Sequence, residues 1–517
     1  MSVDPISLQV YSSLYASVAE EMGETLRRTA FSPNIRERLD YSCAVFDARG
    51  RMIAQAAHIP VHLGSMPESV RAALTAFTDL GEGDVVILND PYRGGTHLPD
   101  ITMVSPVMFD GQAAFYVASR AHHADVGGMS PGSLPLSTEL YQEGLIIPPV
   151  KIVDGGQLNA AVMSLLTANS RGPDERIGDF EAQLSANRAG TERLRAMIEE
   201  RGIDEMTEHS GALLDYARRM TEAVISAIPD GEYHFSDALE GDGQSDDTIL
   251  IHVEIRVHGS QMRVDFKGTS AQVRGNVNTV RAVAQSATWY CIRLLGADDV
   301  PVNDGCFAPI EVIVPSGSVL NANFPAAVAV GNTETSQRVV DVVLGAMARA
   351  LPSKIPAASQ GSMNNVTIGI GGRVYYETIA GGHGGGPMGD GISGRHSHMT
   401  NTRNTPVEML ERAYPLRVLA YQLREDSGGA GQFHGGEGVV REYEALTTAT
   451  ATINAERRTL QPYGLVGGSV GSAGKNTVER MNGDHAELAA KAAITLEAGD
   501  RLIIETPGGG GWGKPSQ

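Results

Sequence analysis

The sequence predicts a mixed α+β fold of several subdomains, in which antiparallel β-hairpins and sheets are packed by helices. Apolar residues recur at helical spacing near the N-terminus and over residues 174–228. Pairs of β-branched and aromatic runs flank short Asp/Gly turns, which is typical of hairpins. The chain has no fixed-period repeat and no long linker, so the boundaries between subdomains are only weakly marked.

A chain of 517 residues is longer than one hydrophobic core normally supports. We expect three regions. Residues 1–172 form a metal-site region with an N-terminal helix and a His/Asp hairpin. Residues 173–360 form a helical segment followed by a mixed α/β region, and residues 361–517 form a Gly-rich, mostly β region.

The N-terminal helix is predicted from a capping residue and from the regular spacing of its apolar residues. Asp4 precedes Pro5, which favours a helix N-terminus, and apolar residues then recur at every fourth position until Ser32 and Pro33 end the helix. A hairpin of residues 41–46 and 51–54 follows, with Asp40 at its mouth. Next come a helix over residues 65–77 and a strand over residues 84–88.

Later segments alternate between the two patterns. Residues 174–228 are predicted to be mostly helical and to end at the turn formed by residues 229–231. The predicted strands cover residues 249–257, 261–266, 310–314, 366–370 and 374–378, and the predicted helices cover residues 280–295 and 335–351. From residue 428 onward, glycine and β-branched residues indicate short strands.

Charge and composition restrict the partners. The chain has 61 acidic and 41 basic residues and a formal charge of −20, which disfavours nucleic acid and anionic membranes because both present phosphates. Three cysteines lack the spacing of a zinc knuckle or a disulfide framework. No apolar run is long enough to span a bilayer, and no export signal is seen. We therefore expect a cytoplasmic protein with small-molecule or protein partners.

A predicted hairpin brings histidines and a carboxylate together. Residues 101–109 and 112–118 flank Asp110 and Gly111, a strong two-residue turn signal. If Phe109 pairs with Gln112, Pro99 lies opposite His122 and Asp100 lies opposite Ala121. Facing residues in an antiparallel pair are about 5 Å apart, so His97, Asp100 and His122 are expected to converge and to bind a divalent metal.

The ligand types restrict the metal. Imidazole with carboxylate suits zinc, manganese or iron, and three such ligands leave positions open for water or substrate. Asp40 is a candidate fourth ligand, because it begins a strand in the same region. The alternative is that these histidines are ordinary hydrogen-bonded loop residues.

His123 and Asp125 are catalytic candidates. Alternation at a strand end points His122 and His123 to opposite sides, so His123 is expected to orient substrate or to act as an acid or base. Asp125 is a candidate to hold a ligand imidazole or to relay a proton. A turn role is equally compatible with each residue.

Other histidines are candidates for substrate contact. Pro60 separates His58 from His62 and disfavours a regular helix there, so a loop or pocket lining is favoured over metal binding. His383 lies in the Gly-rich run of residues 381–390, which lacks the ending of a phosphate-binding P-loop and is better interpreted as turns. No dinucleotide fingerprint accompanies it, so any nucleotide must come from elsewhere.

Several motifs carry a family resemblance. They are RLDYSC at residues 38–43, NDPYRGGTHLPD at 89–100, RAHHADVGG at 120–128, PVNDG at 301–305, NTRNTP at 401–406 and TPGGGGWG at 506–513. Together they resemble the hydantoinase B/oxoprolinase family from end to end. That family includes N-methylhydantoinase, 5-oxoprolinase and caprolactamase subunits and related subunits of acetone and acetophenone carboxylases.

The resemblance implies an ATP-dependent amidohydrolase that acts on cyclic amides as a hetero-oligomer. A hydantoinase A-type partner would bind ATP-Mg and phosphorylate the substrate, and the metal-bound water of this B-type subunit would open the ring. In the carboxylase relatives the metal ligands match His97, Asp100 and His122. An A2B2 or larger assembly is expected on the same basis.

Two other functions fit the resemblance. One is a subunit of an ATP-dependent ketone carboxylase, which would use the same metal with CO2 in place of water, although the acetone-type subunits tend to be longer. The other is a non-catalytic scaffold for the ATP-binding subunit. Cyclic-amide hydrolysis is favoured because the length suits the B-type subunit of a hydrolase.

Overall fold

The computed structural model describes residues 4–56, 59–296 and 300–515. The α-helices within these ranges are α1 Pro5–Thr29, α2 Pro33–Arg36, α3 His62–Ala76, α4 Ala160–Ala168, α5 Pro173–Arg201, α6 Ile203–Ser226, α7 Arg281–Arg293, α8 Ser336–Ala350 and α9 Val407–Ala413. Helices and antiparallel sheets share the cores, so the predicted α+β class is confirmed.

A seven-stranded antiparallel sheet carries the predicted hairpin near its middle, in the order β2-β1-β5-β4-β3-β6-β7. Its strands are β1 Tyr41–Asp47, β2 Met52–Ala56, β3 Val85–Leu88, β4 Asp100–Phe109, β5 Gln112–His122, β6 Val150–Asp154 and β7 Gln157–Leu158. The hairpins at residues 41–54 and 101–118 are therefore confirmed, and β4 and β5 form the longest pair in the sheet.

The N-terminal helix begins where the sequence predicts. The Asp4 side chain accepts a hydrogen bond from the Ser7 backbone N–H at 3.0 Å, which satisfies one of the free donors at the start of the helix. Helices α1 and α5 pack together over the same sheet, and the buried apolar residues between them include Tyr15, Met22 and Leu194. This layer closes one face of the hairpin.

A second, four-stranded sheet forms the middle of the chain. Its strands are β8 Gly231–Leu239, β9 Ile249–His258, β10 Gln261–Asp265 and β11 Ile310–Ile313, with one parallel pair between β10 and β11. Helix α8 packs on β8 and β9, and α7 packs on α8 and α3. Strand β8 was not predicted, although its partly buried Tyr233 and Phe235 alternate with polar residues.

Two further sheets complete the chain. The four-stranded sheet contains β12 Asn365–Ile370, β13 Arg373–Glu377, β16 Ala449–Asn454 and β19 Lys491–Leu496. The five-stranded sheet contains β14 Leu416–Arg424, β15 Gly438–Ala445, β17 Lys475–Glu479, β18 His485–Leu488 and β20 Arg501–Glu505. These strands confirm the predicted β character of the C-terminal region.

The Gly-rich runs allow backbone segments to approach one another closely. A Cβ atom on Gly509 would lie 1.9 Å from the carbonyl oxygen of His383, and one on Gly382 would lie 1.9 Å from that of Gly436. Neither position has room for a side chain. These runs therefore pack backbone against backbone between loops of the C-terminal region.

The largest core crosses the predicted regional boundaries. It combines Leu134, residues of β9 and α8, and Met363 and Met399. The division at residues 172 and 360 stays a prediction. Within the described ranges, no helix combines the length and apolarity needed to cross a bilayer.

Candidate metal centre

The hairpin pairs with a register that differs from the predicted one by a single residue. Phe109 faces Gln112 as predicted, but an irregularity between Val107 and Met108 adds one residue to β5. Asp100 therefore faces His122, so the predicted pairing of Asp100 with Ala121 is wrong. The physical reason is a β-bulge, which places two residues of one strand opposite one of the other.

This register brings three candidate ligands to one point. Asp100 Oδ1 lies 3.1 Å from His97 Nε2 and 3.1 Å from His122 Nδ1. One possible ligand atom from each of the three residues lies within 4.8 Å of the other two, and all three side chains are buried. The predicted convergence of His97, Asp100 and His122 is present in the structure.

The hydrogen bonds of the two imidazoles leave ring nitrogens available. His97 Nδ1 lies 2.9 Å from the carbonyl oxygen of Ala329. Because a carbonyl only accepts, Nδ1 carries the proton and Nε2 keeps its lone pair when the ring is neutral. Nε2 of His97 and Nε2 of His122 are buried without a hydrogen-bond partner among the described residues. Such nitrogens beside a carboxylate suit a divalent cation.

The local electrostatics favour an anionic aspartate. Burial opposes ionisation of Asp100, but His97, His122 and His62 together hold the pKa of its carboxyl well below the usual value. Burial lowers the pKa of His122 below its ordinary value, against the effect of Asp100. Burial opposes the charged form of His97 as well, but Asp100 raises the pKa of this ring above its ordinary value. Metals bind a neutral imidazole and an ionised carboxylate, so a cation at this cluster would compete with a proton on His97.

The second oxygen of Asp100 is held by neighbouring side chains. Oδ2 accepts hydrogen bonds from Thr96 Oγ1 and from Asn332 Nδ2, each at 3.0 Å. His62 Nε2 lies 3.5 Å from the same oxygen. Oδ1 is thereby left to face the two imidazoles.

His62 is the member of this cluster that sequence reasoning did not place. It opens α3, binds Ser42 Oγ through Nδ1 at 3.0 Å, and lines the cavity beside Asp100. The interpretation of His62 as pocket lining fits this position. Its proximity to Asp100 depends on how α3 packs on the sheet, which spacing along the chain does not encode.

Asp40 lines the same cavity immediately before β1. Its carboxylate lies 3.7 Å from the buried guanidinium of Arg38, which also pairs with Glu377 at 3.2 Å and stacks over Tyr376. Tyr376 in turn stacks on His122, with ring centroids 4.7 Å apart. Asp40 therefore adds negative charge beside the three-residue cluster.

The cluster borders a small cavity that adjoins a larger one. The inner cavity has a volume of about 20 Å³, enough for one water molecule or ion. The outer cavity has a volume of about 380 Å³, and Thr400 lines both. Pro60 lines the outer cavity, whereas Ile59 and Val61 line the inner one.

The two catalytic candidates lie outside the inner cavity. His123 points toward α5, where its Nε2 lies 2.9 Å from Gln183 Oε1 and its ring packs on Phe180. Burial and the nearby Arg176 lower the pKa of His123 to about 4. The Asp125 carboxylate accepts hydrogen bonds from Arg171 and from the backbone N–H groups of the loop that follows it. Both side chains are therefore engaged in contacts with neighbouring residues outside the inner cavity.

The two substrate-contact candidates differ in what the structure says of them. His58 lies outside the described residues. His383 lines the outer cavity, and its Nε2 lies 2.8 Å from the carbonyl oxygen of His396. The same cavity is lined by Arg395 and His398. These side chains give the outer cavity a polar wall near the inner one.

The fold and the cluster define a protein with a candidate mononuclear metal centre of the His/Asp/His type, built into an antiparallel sheet. The chain belongs to the hydantoinase B/oxoprolinase family, whose model matches residues 4–515. The resemblance described above is thereby confirmed.

Two relatives illustrate the range of the family. A 5-oxoprolinase of Dictyostelium discoideum is 40% identical over 99% of this chain, and the putative B-type subunit of a D-/L-hydantoinase from Pseudomonas sp. (strain NS671) is 31% identical over 99%. The chain spans 40% of the length of the 5-oxoprolinase and 90% of that of the hydantoinase relative.

Solved structures share the fold. The ATP-dependent caprolactamase of Pseudomonas jessenii superposes with a TM-score of 0.94 at 28% identity, covering 99% of this chain and 92% of that one. A nucleotide-free acetone carboxylase superposes with a TM-score of 0.91 at 18% identity, covering 99% of this chain and 76% of that one. The second likeness concerns the fold alone.

Proposed function

We propose that this chain is the metal-binding B-type subunit of an ATP-dependent cyclic-amide hydrolase. The observation that carries the proposal is the buried cluster of His97, Asp100 and His122 beside a cavity. Membership of the hydantoinase B/oxoprolinase family and the likeness to an ATP-dependent caprolactamase support the reaction class.

The cluster would hold a zinc, manganese or iron ion through His97, Asp100 and His122, with Asp40 as the candidate fourth ligand. Such an ion, when bound, supplies Lewis-acid chemistry and lowers the pKa of bound water toward ~7. The chain's own residues set the charge and direction of the ligands. Asn332 and Thr96 fix Asp100, and Tyr376 packs on the ring of His122.

The proposed reaction needs a second protein. A cyclic amide is stabilised by resonance, and O-phosphorylation by ATP converts the amide oxygen into a leaving group. The relative named as the B-type component of a hydantoinase supports a hydantoinase A-type partner that binds ATP-Mg. Water then adds to the carbon, and the ring C–N bond breaks as the nitrogen takes up a proton, which leaves an acyl phosphate. A second water hydrolyses the acyl phosphate to the carboxylate and inorganic phosphate. We propose an A2B2 or larger assembly.

The outer cavity is the proposed substrate chamber. Its volume of about 380 Å³ is within the range of small-molecule sites, and it meets the inner cavity at Thr400. His383 would contact the substrate from this wall, and His58 is proposed for the same role. We propose His123 and Asp125 as the residues that relay a proton; in this structure their side chains contact Gln183 and Arg171.

Product analysis tests the proposal. The chain is co-purified with its ATP-binding partner and given ATP, isotopically labelled bicarbonate, and a mixture of hydantoins, 5-oxoproline, lactams and simple ketones. We expect mass spectrometry to detect ring-opened products that have gained water. Labelled carboxylate on a ketone would overturn the hydrolase in favour of a carboxylase. Turnover that survives His122→Ala in the same complex would leave the chain as a scaffold.

A further inference from the structure

A buried segment from the middle of the chain reaches two of the candidate ligands. Residues 326–332, here called the ligand-holding segment, place the Ala329 carbonyl 2.9 Å from His97 Nδ1. They also place Asn332 Nδ2 3.0 Å from Asp100 Oδ2. The position of this segment therefore sets the orientation of both side chains.

Residues 326–330 of the segment lie outside the helices and strands, so most of their backbone groups need other hydrogen bonds. The Ala326 carbonyl accepts from Tyr92 Oη at 2.8 Å, and that of Ala327 accepts from Asn278 Nδ2 at 3.0 Å. The N–H groups of Val328 and Ala329 donate to a single atom, Glu143 Oε1, at 2.8 and 2.9 Å.

The Glu143 carboxylate anchors the backbone of the ligand-holding segment through these two hydrogen bonds. Its side chain is fully buried, and Oε1 also accepts from Ser137 Oγ at 2.7 Å. Within the described chain, the N–H groups of Val328 and Ala329 have no other acceptor. Leaving a buried N–H without an acceptor costs ~1–3 kcal/mol, so loss of this carboxylate would release the segment.

We propose that Glu143 is a positioning residue for the metal centre, acting through Val328 and Ala329 to orient His97. The carboxylate fixes the backbone whose carbonyl accepts the Nδ1 proton, and this leaves Nε2 of His97 facing Asp100. The inference deepens the proposed function and depends on it, because it assumes that His97 is a ligand. Glu143 itself touches neither the cluster nor the inner cavity.

Metal affinity of the full-length chain tests the proposal. We expect Glu143→Ala to bind Zn²⁺ ~10–100-fold more weakly in chelator competition, the range typical of losing an outer partner of a ligand. Glu143→Gln keeps an acceptor for both N–H groups and should bind within a few-fold of wild type. Ser137→Ala should also stay close to wild type. Equal affinity in Glu143→Ala and wild type would overturn the proposal.

A matched control separates positioning from general destabilisation. Asp500 is a buried carboxylate of the C-terminal region that also accepts two backbone N–H groups, from Met481 and Glu497. Asp500→Ala should lower the melting temperature and leave Zn²⁺ affinity unchanged. If Glu143→Ala does not fold, Glu143→Asp replaces it, because the shorter side chain cannot reach both N–H groups.

A metal-free readout distinguishes failure of this inference from failure of the centre. In ¹⁵N-histidine spectra of the metal-free chain, recorded at a pH high enough that the ring is neutral and assigned with His97→Ala, wild-type His97 should carry its proton on Nδ1. Glu143→Ala should populate the other tautomer. If wild type binds no Zn²⁺, the proposed metal centre is wrong. If the tautomer of His97 is unchanged in Glu143→Ala, the positioning role of Glu143 is wrong as well.

Discussion

At the scale of the residue, the clearest functional signal is a pair of buried imidazole nitrogens that make no hydrogen bond within the described parts of the chain. Protein interiors rarely leave polar atoms unsatisfied, yet Nε2 of His97 and of His122 are buried beside an ionised carboxylate. The hairpin made these residues predictable, because His122 ends one strand opposite the start of the other and His97 lies three residues before that start. Ala329 and Asn332 were not predictable, since each lies 232 residues from its partner in the cluster.

The first prediction concerns these two histidines. His97→Ala or His122→Ala should lower Zn²⁺ affinity by more than the ~10–100-fold typical of losing an outer partner, because each removes a direct ligand. Metal content by mass spectrometry and turnover of the partner complex measure the effect. His209→Ala is the control, since His209 is also buried but stacks on Tyr11 away from the centre. Full occupancy in either variant would exclude that residue as a ligand.

The second prediction concerns pH. Burial, opposed by Arg71, raises the pKa of Asp304 to about 6. A carboxyl whose folded pKa exceeds its unfolded value gives stability that is present below the unfolded pKa, near 3.8, and is lost as pH rises through about 6. Asp304→Asn should therefore melt close to wild type at pH 4 and above it at pH 7.

The size of this difference is bounded by the shift. At about 1.4 kcal/mol per pKa unit, the gain from Asp304→Asn should not exceed about 3 kcal/mol. Melting curves of both proteins at pH 4, 5, 6 and 7 give the comparison. A constant offset between them across this range would show that Asp304 does not titrate there.

At the scale of the element, the bulge in the β4–β5 hairpin decides which residues face one another. The turn at Asp110 and Gly111 was predictable, but the bulge was not, because Ala113 and Ala114 fit either face of a strand. The third prediction uses this feature. Deleting Ala114 should preserve the pairing of Asp100 with His122, since Val107 still meets Phe115, and Zn²⁺ binding should persist.

The same strand provides the contrasting deletion. Removing Ala118, which is paired with Val104, moves every later residue of β5 by one place and sets His123 opposite Asp100. Zn²⁺ binding should then be lost in chelator competition. If the two deletions behave alike, the register of this hairpin does not determine the centre.

The ends of an element could be predicted where the sequence has a capping residue or a long run of apolar residues at helical spacing. Helix α1 follows its Asp4 cap, and α8 agrees with the predicted helix to within a residue at each end. Strand β14 was missed, because most of its nine residues are exposed or half-buried and the strand carries little hydrophobic alternation. The packing of α3, which brings His62 to Asp100, is a tertiary property.

At the scale of the whole molecule, a buried ion cluster joins three segments that are distant in sequence. Arg457 Nη2 lies 2.6 Å from Asp237 Oδ2 and 2.6 Å from Asp341 Oδ2. Arg338 contacts the same two carboxylates and Glu456. The contacts link strand β8, helix α8 and the end of β16, so they tie the middle sheet to the C-terminal region.

The fourth prediction tests this junction. Arg457→Met should destabilise the chain by up to ~3–5 kcal/mol, because it leaves Asp237 and Asp341 to share the single guanidinium of Arg338. Arg417→Met removes an exposed pair with Glu444 and should cost no more than ~1 kcal/mol. Thermal and urea unfolding of both variants make the comparison. Similar losses in the two would contradict the inferred role of the cluster.

Under the proposed function, the two cavities that share Thr400 in their walls separate two tasks in space. The inner one is bounded by the His/Asp cluster of the sheet, and the outer one by loop residues such as His383 and Arg395. If the outer cavity holds the substrate, substitutions in those loops would change which ring fits while the cluster stays as it is. Homologues with this arrangement could then differ in substrate range through substitutions in the outer wall and retain the same reaction at the inner cavity.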